Sequence, residues 1–568
     1  MTVSGGSVGM RRFLRIATAV AVLVTAAPGR AAEDPGALRD EAFQAAQWAL
    51  TTSAGQALAQ MGARFAAGND DLATLVRNRQ DLVESWRNKD KQLLDALGRS
   101  DAEAQQLSAS LRQELSEIAA QISALDADLE TQFPEYAELS NPKPLTIADV
   151  QQLLKPQEAM ILFLVTVEES YVWAIGADKA TWTRVAVGAD ALTESVKKLR
   201  ATLDPSGSVR GAEGAFGEEF AEGGTPFDRT TAHELFTQFL APLAEVIDGK
   251  ESLLVIPDGA FTSLPLSVLV TQSPEGSDTD PEALRATSWL MNAYALTTLP
   301  AVSSLKALRL FQKRAEGSEP FRGFGSPTLL GRAGAEPVAD GIEVASRGVR
   351  SANAYFRGRY ADVDAVRELE PLPQTENELR HMAEALGADP GAALTIGDAA
   401  TEAAVKDASL ANARVLAFAT HGLVTGELMG LAEPALVFTP PAEASDKDDG
   451  LLTASEAAQL NLAADWVVLS ACNTAAGDGT PGAEGLSGLA RAFLYAGARA
   501  ILVSHWPVRD DAAAALTTHA FANLVQDPNM GRAEALRRAM LSVMEDTNDP
   551  TLVHPSAWAP FVVVGEGG

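Results

Sequence analysis

The stretch Asp465-Trp-Val-Val-Leu-Ser-Ala-Cys472-Asn-Thr474 runs apolar residues into a turn of small ones, and that turn holds the only cysteine in 568 residues. A glycine-rich loop follows, with Gly477, Gly479, Gly482, Gly485 and Gly488, and then Leu489 to Ala496 at helical spacing. Read physically, this is a buried strand, a sharp exit and a helix. In α/β sheets ligands sit in the crevice beyond the carboxyl ends of the strands, which is where Cys472 would stand. Arg414-Val-Leu-Ala-Phe-Ala-Thr-His421-Gly422 has the same shape and ends on a histidine. The 51 residues from His421 to Cys472 suffice for one crossover between neighbouring parallel strands.

Outward from this pair, apolar runs alternate with helical spacing. Gly323-Phe-Gly-Ser-Pro327 precedes a helix over Glu376 to Leu386 and a short strand at Ala393 to Ile396. Pro434 to Phe438, a helix over Thr453 to Leu460 and a strand at Ala498 to Ser504 come next, then helices over Asp511 to Val525 and Arg532 to Met544, and a last strand at Phe561 to Val564. Alternation of this length predicts βαβ units, hence an α/β fold with a mainly parallel sheet. Earlier in the chain, Ala159 to Thr166 and Ser170 to Ile175 read as a hairpin. Leu192 to Leu203 and Ala232 to Leu243 read as helices, and Ser252 to Ile256 as a buried strand that turns at Pro257-Asp258-Gly259. The acidic runs Glu213 to Asp228 and Ser273 to Asp280 read as surface loops, and Gly331 to Pro371, poor in apolar runs, as a long loop.

The first part of the chain follows another pattern. From Ala37 to Glu138 the apolar residues keep helical spacing. Leu75, Leu82, Trp86, Leu93 and Leu97 form a coiled-coil-like stripe; Gly98 ends it, and Ser100-Asp-Ala-Glu103 reads as a capping box opening a helix with Leu107, Leu111, Leu115, Ile118, Ile122, Leu125 and Leu129. The two segments, residues 71–131, should fold back as an antiparallel hairpin. Its apolar stripe needs cover, from the chain's own C-terminal region or from a protein partner or second copy.

Composition narrows the function. The formal net charge is −30, from 75 acidic against 45 basic residues, which repels nucleic acid and anionic lipid. A single cysteine excludes an intramolecular disulfide framework and a multi-cysteine metal site, and the six histidines are scattered, so neither metal nor cofactor is expected. Gly477 to Gly488 lacks the Lys-Ser/Thr of a phosphate-binding loop. Residues 1–32 read as a signal peptide: Arg11, Arg12 and Arg15 precede the apolar run Ile16 to Ala27, with Gly29-Arg30-Ala31 as a cleavage site. The apolar run is shorter than the roughly 20 residues of a membrane span, so export to the periplasm or beyond is expected, with an uncleaved anchor as the other outcome.

A cysteine and a histidine at neighbouring strand ends are the parts of a nucleophilic dyad. The thiolate of Cys472 attacks a carbonyl, and His421 passes a proton to the leaving amine and then helps water release the acyl group. The oxyanion needs preorganised donors, for which the backbone N–H groups of Gly422 and Cys472 are the natural pair. Asp478 and Glu484 are candidates for lining a pocket for a basic side chain, and Trp506 for walling the cleft or simply packing. His554, beside Pro555, reads as structural. No residue orienting His421 can be named from the sequence.

Ala419-Thr-His-Gly422 and Leu469-Ser-Ala-Cys-Asn-Thr474 resemble the signature blocks of the CHAT-domain family, caspase-like cysteine peptidases related to separase. The histidine some 50 residues upstream of the cysteine is the caspase-type spacing, although the caspase Gln-Ala-Cys signature is absent. Further blocks agree in order: Leu253 to Gly259 with Leu264-Pro265, Gly323 to Pro327, Asp449-Gly-Leu-Leu-Thr453, Gly485-Leu-Ser-Gly488 and Trp558-Ala-Pro-Phe561. The resemblance implies a caspase-like α/β/α sandwich with His421 and Cys472 as the dyad. It implies a non-catalytic half over residues 146–310 and a catalytic half over 320–565, here preceded by a helical region over 33–140. CHAT domains commonly follow tetratricopeptide-repeat arrays; Ala42 to Phe65 holds at most one degenerate helix pair. The expected function is an exported cysteine endopeptidase acting on protein or peptide substrates, either active by itself or switched on by a partner or by self-cleavage in the Gly331–Pro371 loop. The alternatives are a non-catalytic scaffold that binds through the helical hairpin, and a thiol hydrolase acting on small acyl substrates.

Overall fold

Trp466–Ser470 is buried at every position, so this strand must be covered on both faces. The computed structural model describes residues 35–50, 82, 85–86, 89, 93, 102–132, 144–204, 226–310, 318–330, 356–357, 360–361, 363–372, 374–423, 434–445, 447–470, 488–506 and 508–568. The described strands are β1 (Glu158–Val165), β2 (Ser170–Gly176), β3 (Ala180–Val185), β4 (Ser252–Ile256), β5 (Ala295–Thr298), β6 (Glu319–Pro327), β7 (Phe356–Arg357), β8 (Tyr360–Ala361), β9 (Leu394–Gly397), β10 (Ala413–Ala419), β11 (Gly422–Leu423), β12 (Ala435–Val437), β13 (Leu451–Thr453), β14 (Trp466–Ser470), β15 (Ala500–Ser504) and β16 (Phe561–Gly565).

Eleven of them form one sheet in the order β3-β2-β1-β4-β5-β16-β15-β14-β10-β6-β9. The fold class is the expected one, mixed α/β with a mostly parallel sheet. Strands β1, β4, β5 and β16 run one way, and β15, β14, β10, β6 and β9 run the other; the antiparallel pair β15–β16 joins the two blocks. Val467, Leu469, Ile501 and Val503 face one core, while Val468, Ala500 and Leu502 face the other, as the strand period of two requires. One face is covered by Ala189–Leu203, Gln374–Ala385, Asp510–Gln526 and Arg532–Met544, the other by Ile147–Leu153, Ala454–Ala458 and Gly488–Ala496.

The hairpin expected at Ala159 to Ile175 is β1–β2, paired from Ala159↔Gly176 to Val165↔Ser170, and β3 extends it. The Pro434 to Phe438 run leaves the main sheet: β12 sits between β11 and β13 in a separate three-stranded sheet. The stretch read as a long loop is partly regular. Residues 331–355 lie outside the description, but β7 pairs with β8, and Val363–Arg367 is a helix. This piece packs against the small sheet through Ala361, Val366, Leu369, Leu423, Ala435 and Val437.

At the N-terminal side, the helix Pro35–Ala49 buries Phe43 against Trp173 of β2, with ring centroids 6.3 Å apart. Gln47 exchanges two hydrogen bonds with the backbone of Leu145, and Arg39 donates to the Ala180 carbonyl at 2.6 Å. The helix Ala102–Gln132 buries Leu111, Leu115 and Ile118, and Lys89 meets Glu114 at 2.6 Å, linking the two segments of the expected hairpin. Residues 1–32, read above as a signal peptide, lie outside the described residues. Among the described residues no helix is long and apolar enough to cross a membrane.

Candidate functional site

Strands β10 and β14 are parallel neighbours, paired from Val415↔Trp466 to Ala419↔Ser470. His421 comes two residues after Ala419 in sequence, and Cys472 two residues after Ser470, and the strands that lead to the two candidates end in step at the same end of the sheet. Cys472, Asp478 and Glu484 themselves lie outside the described residues. At the other end of β14, Asp465 is buried and ion-paired with Arg499 at 3.3 Å, Arg414 at 3.5 Å and Arg532 at 3.7 Å. Ion pairs anchor the strand's start.

His421 is buried, and its Nε2 lies 2.8 Å from the Glu370 carbonyl oxygen. A carbonyl only accepts, so Nε2 carries the proton of the neutral ring, and the lone pair falls to Nδ1. The backbone is held equally firmly: Val437 N–H donates to the His421 carbonyl at 3.0 Å, and the Thr420 hydroxyl donates to the Val437 carbonyl at 2.6 Å. That bond makes His421/Val437 a hydrogen-bonded pair of the antiparallel β11–β12 ladder. The next pair, Gly422↔Leu436, is therefore a non-bonded one, and the Gly422 N–H points away from β12.

Two glycines explain blocks quoted above. In β6, a Cβ at Gly325 would stand 2.2 Å from the Ala419 carbonyl oxygen, so only glycine allows β6 to lie this close to the strand that carries His421. Gly450 has φ +88°, the left-handed region that glycine enters without strain.

That glycine belongs to a buried polar bracket beside the site. Glu402 Oε2 accepts the N–H groups of Asp449 at 2.7 Å and Gly450 at 3.2 Å, and its other oxygen meets Lys406, which also reaches Glu456 at 2.8 Å. Asp449 in turn accepts from Ala361 N–H at 2.8 Å and Leu451 N–H at 3.1 Å. Asp449 thus ties β8 to the loop before β13, and β8 leads into the segment whose Glu370 carbonyl orients His421. Burial raises the carboxyls of Asp448 and Asp449; burial first, and then the charge of Glu456, pushes Glu402 up to about 8. Sequence reading named neither Glu370 nor Glu402. Glu370 acts through a backbone carbonyl, which any residue supplies, and only the quoted Asp449-Gly450 block marked the bracket.

Trp506 needs a correction as a cleft wall. It is fully buried, shares a core with Trp558, and spends its indole N–H on the Ser556 carbonyl at 2.9 Å, so it packs. His554 is structural, as read: its side chain caps Pro555–Trp558 by accepting from Ser556 N–H. Among the described residues no group of His, Cys, Asp and Glu suits a metal ion.

The model of the CHAT domain family matches residues 229–566, more than half of the chain and inclusive of His421 and Cys472. The chain belongs to the CHAT-domain family. Tetratricopeptide repeat protein 28 of Mus musculus is 32% identical over 225 residues, covering 34% of this chain and 9% of that protein. The Homo sapiens counterpart is 31% identical over 224 residues, covering 34% of this chain and 8% of its own. The chain therefore spans less than a tenth of the length of these relatives. Among solved structures, a Saccharomyces cerevisiae separase–securin complex matches 81% of this chain and 33% of its own at 11% identity, with a TM-score of 0.37. The Arg-specific cysteine proteinase gingipain R matches 61% of this chain and 69% of its own at 12% identity, with a TM-score of 0.31.

Proposed function

We propose that this CHAT-family chain is a cysteine endopeptidase with His421 and Cys472 as its dyad. The observation that carries the reading is the 2.8 Å contact between His421 Nε2 and the Glu370 carbonyl, which supports Nδ1 as the proton-transferring nitrogen, at the end of a strand in register with the one that leads to Cys472. His421 Nδ1 takes the Cys472 thiol proton, the thiolate attacks the scissile carbonyl, an S–C bond forms, and the oxyanion takes N–H bonds from Gly422 and Cys472. His421 gives its proton to the departing amine as the C–N bond breaks. Water, deprotonated by His421, then adds to the acyl group; the S–C bond breaks and the acid leaves. Asp478 and Glu484 remain candidates for receiving a basic side chain.

The N-terminal basic and apolar residues support export, and residues 71–131 support an activating partner or self-association as the surroundings in which the enzyme works. The test is turnover. The purified chain is incubated with a library of denatured bacterial proteins, and new termini are mapped beside Cys472→Ala and His421→Ala. The proposal expects new termini with one preferred residue before the cut, reduced at least a hundredfold in both variants. Cleavage that persists in Cys472→Ala rejects the dyad, and no cleavage by the wild type, alone or with periplasmic extract, favours the scaffold alternative.

A further inference from the structure

His421 is held from two directions, and both lines of bonds lead to Asp449. On the main-chain side, Val437 N–H donates to the His421 carbonyl at 3.0 Å, and the next residue, Phe438, donates its N–H to the Gly450 carbonyl at 2.8 Å. Gly450 directly follows Asp449. On the ring side, His421 Nε2 lies 2.8 Å from the Glu370 carbonyl oxygen. The segment that carries Glu370 runs on from Ala361, whose N–H donates to Asp449 Oδ2 at 2.8 Å. The two lines close into a ring through the loop before β13. Its other links are main-chain groups, which any residue supplies; apart from His421, Asp449 alone acts in it through a side chain.

Asp449 is itself fixed. Glu402 Oε2 takes its N–H at 2.7 Å, and each of its carboxylate oxygens has a donor, Ala361 on Oδ2 and Leu451 on Oδ1 at 3.1 Å. The Leu451 bond is local, whereas the Ala361 bond spans 88 residues and is the one that joins two parts of the fold. Other supports hold the Glu370 segment at its far end. Arg367 donates to the Pro441 carbonyl at 2.8 Å, and its own carbonyl accepts from Leu330 N–H at 2.8 Å. Val366 and Leu369 are buried with Leu423 and Val437. Apolar burial carries no direction, so it keeps the segment in place without setting the line of the Glu370 carbonyl. Without Asp449 the segment keeps its directional bonds at one end and can turn about Arg367.

We propose that Asp449 is a positioning residue for His421: its carboxylate, through the Ala361 N–H, sets where the Glu370 carbonyl stands and so keeps the histidine proton on Nε2 and the lone pair on Nδ1. This role rests on the reading of His421 and Cys472 as a dyad. A misplacement of about 1 Å made far from the chemistry can slow a reaction roughly a hundredfold, so a main-chain carbonyl held at one end instead of two is enough to matter.

Three variants of the full chain test this role. Asp449→Ala loses both bonds, Asp449→Asn keeps one acceptor oxygen and so one bond, and Asp448→Asn removes the neighbouring charge while keeping an oxygen for the Gly450 N–H that Asp448 accepts at 3.2 Å. Proton–nitrogen NMR of chains labelled with nitrogen-15 histidine, with His421 assigned through His421→Ala, reads the tautomer without any need for catalysis. Saturation kinetics with a peptidyl acyloxymethyl ketone separate the maximal inactivation rate from the affinity for the probe. The expected result is one Nε2-protonated tautomer in the wild type and in Asp448→Asn, and a mixture in Asp449→Ala. The maximal rate should fall about tenfold to a hundredfold in Asp449→Ala, with affinity changed less than about twofold and Asp449→Asn in between. Asp449→Asn carries the same test where the alanine variant does not fold. A wild-type tautomer or an unchanged maximal rate in the Asp449 variants, or an equal fall in Asp448→Asn, would overturn the role. If no probe labels the wild type, the dyad reading fails, and the tautomer comparison still decides whether Asp449 positions His421.

Discussion

Glu402 sits beside Lys406, Glu456 and the acidic pair Asp448–Asp449, almost fully enclosed, and its carboxyl titrates about 8. A carboxyl whose pKa is higher folded than unfolded, where it is about 4.3, favours folding when protonated. Its contribution is complete below the unfolded value and is lost as pH rises through the folded one. The burial-raised Asp448 and Asp449 act in the same direction. The urea midpoint should therefore fall between pH 5 and pH 9, and fall less in Glu402→Gln, which keeps the shape and does not ionise. Equal slopes in the two proteins would place the titration elsewhere. At this scale the two candidates could be picked out, because a sole cysteine and a histidine at the ends of apolar runs are rare residue types in informative places, and the strands leading to them are neighbours. What orients the histidine could not, since it is a main-chain oxygen brought in from a stretch with few apolar runs.

Among the elements, the helix Pro35–Ala49 has the least sequence signal for its position and a sharply defined anchor. Phe43 is fully buried on Trp173, whereas Trp48 on the same helix is 63% exposed. Removing the ring should cost about 3–5 kcal/mol of docking, as other buried Phe→Ala changes do. In Phe43→Ala, trypsin should cut after Arg39 at least tenfold faster than in the wild type, because Arg39 is otherwise held on the Ala180 carbonyl. An unchanged cutting rate would show that Phe43 does not hold the helix. Strand and helix types were readable from the period of their apolar residues, and Arg532–Met544 falls where the spacing put it. Strand β3, in which Trp182 is only partly covered, is short and mixed in polarity, so it offers no period to read. The turn of β12 into a separate sheet also left no mark, because an apolar triplet fits either sheet.

For the whole molecule, the alternation of strands and helices was enough to predict an α/β fold, but not the way its two blocks meet. Apolar runs carry no direction, and nothing in Phe561 to Val564 announces that β16 reverses against β15 and continues the earlier block. That reversal sets the molecule's division of labour. One block brings β10 and β14 to a common exit beside the small sheet that fixes His421, and the β15–β16 seam joins it to the other block. The central claim is that Cys472 is a nucleophile activated in that setting. Its most direct measurement is labelling of the purified chain with a panel of peptidyl acyloxymethyl ketones, with the modified residue located by mass spectrometry. The account predicts a single adduct on Cys472, reduced at least a hundredfold in His421→Ala. An adduct that forms on Cys472 at the same rate in His421→Ala, or none from any probe, would contradict it.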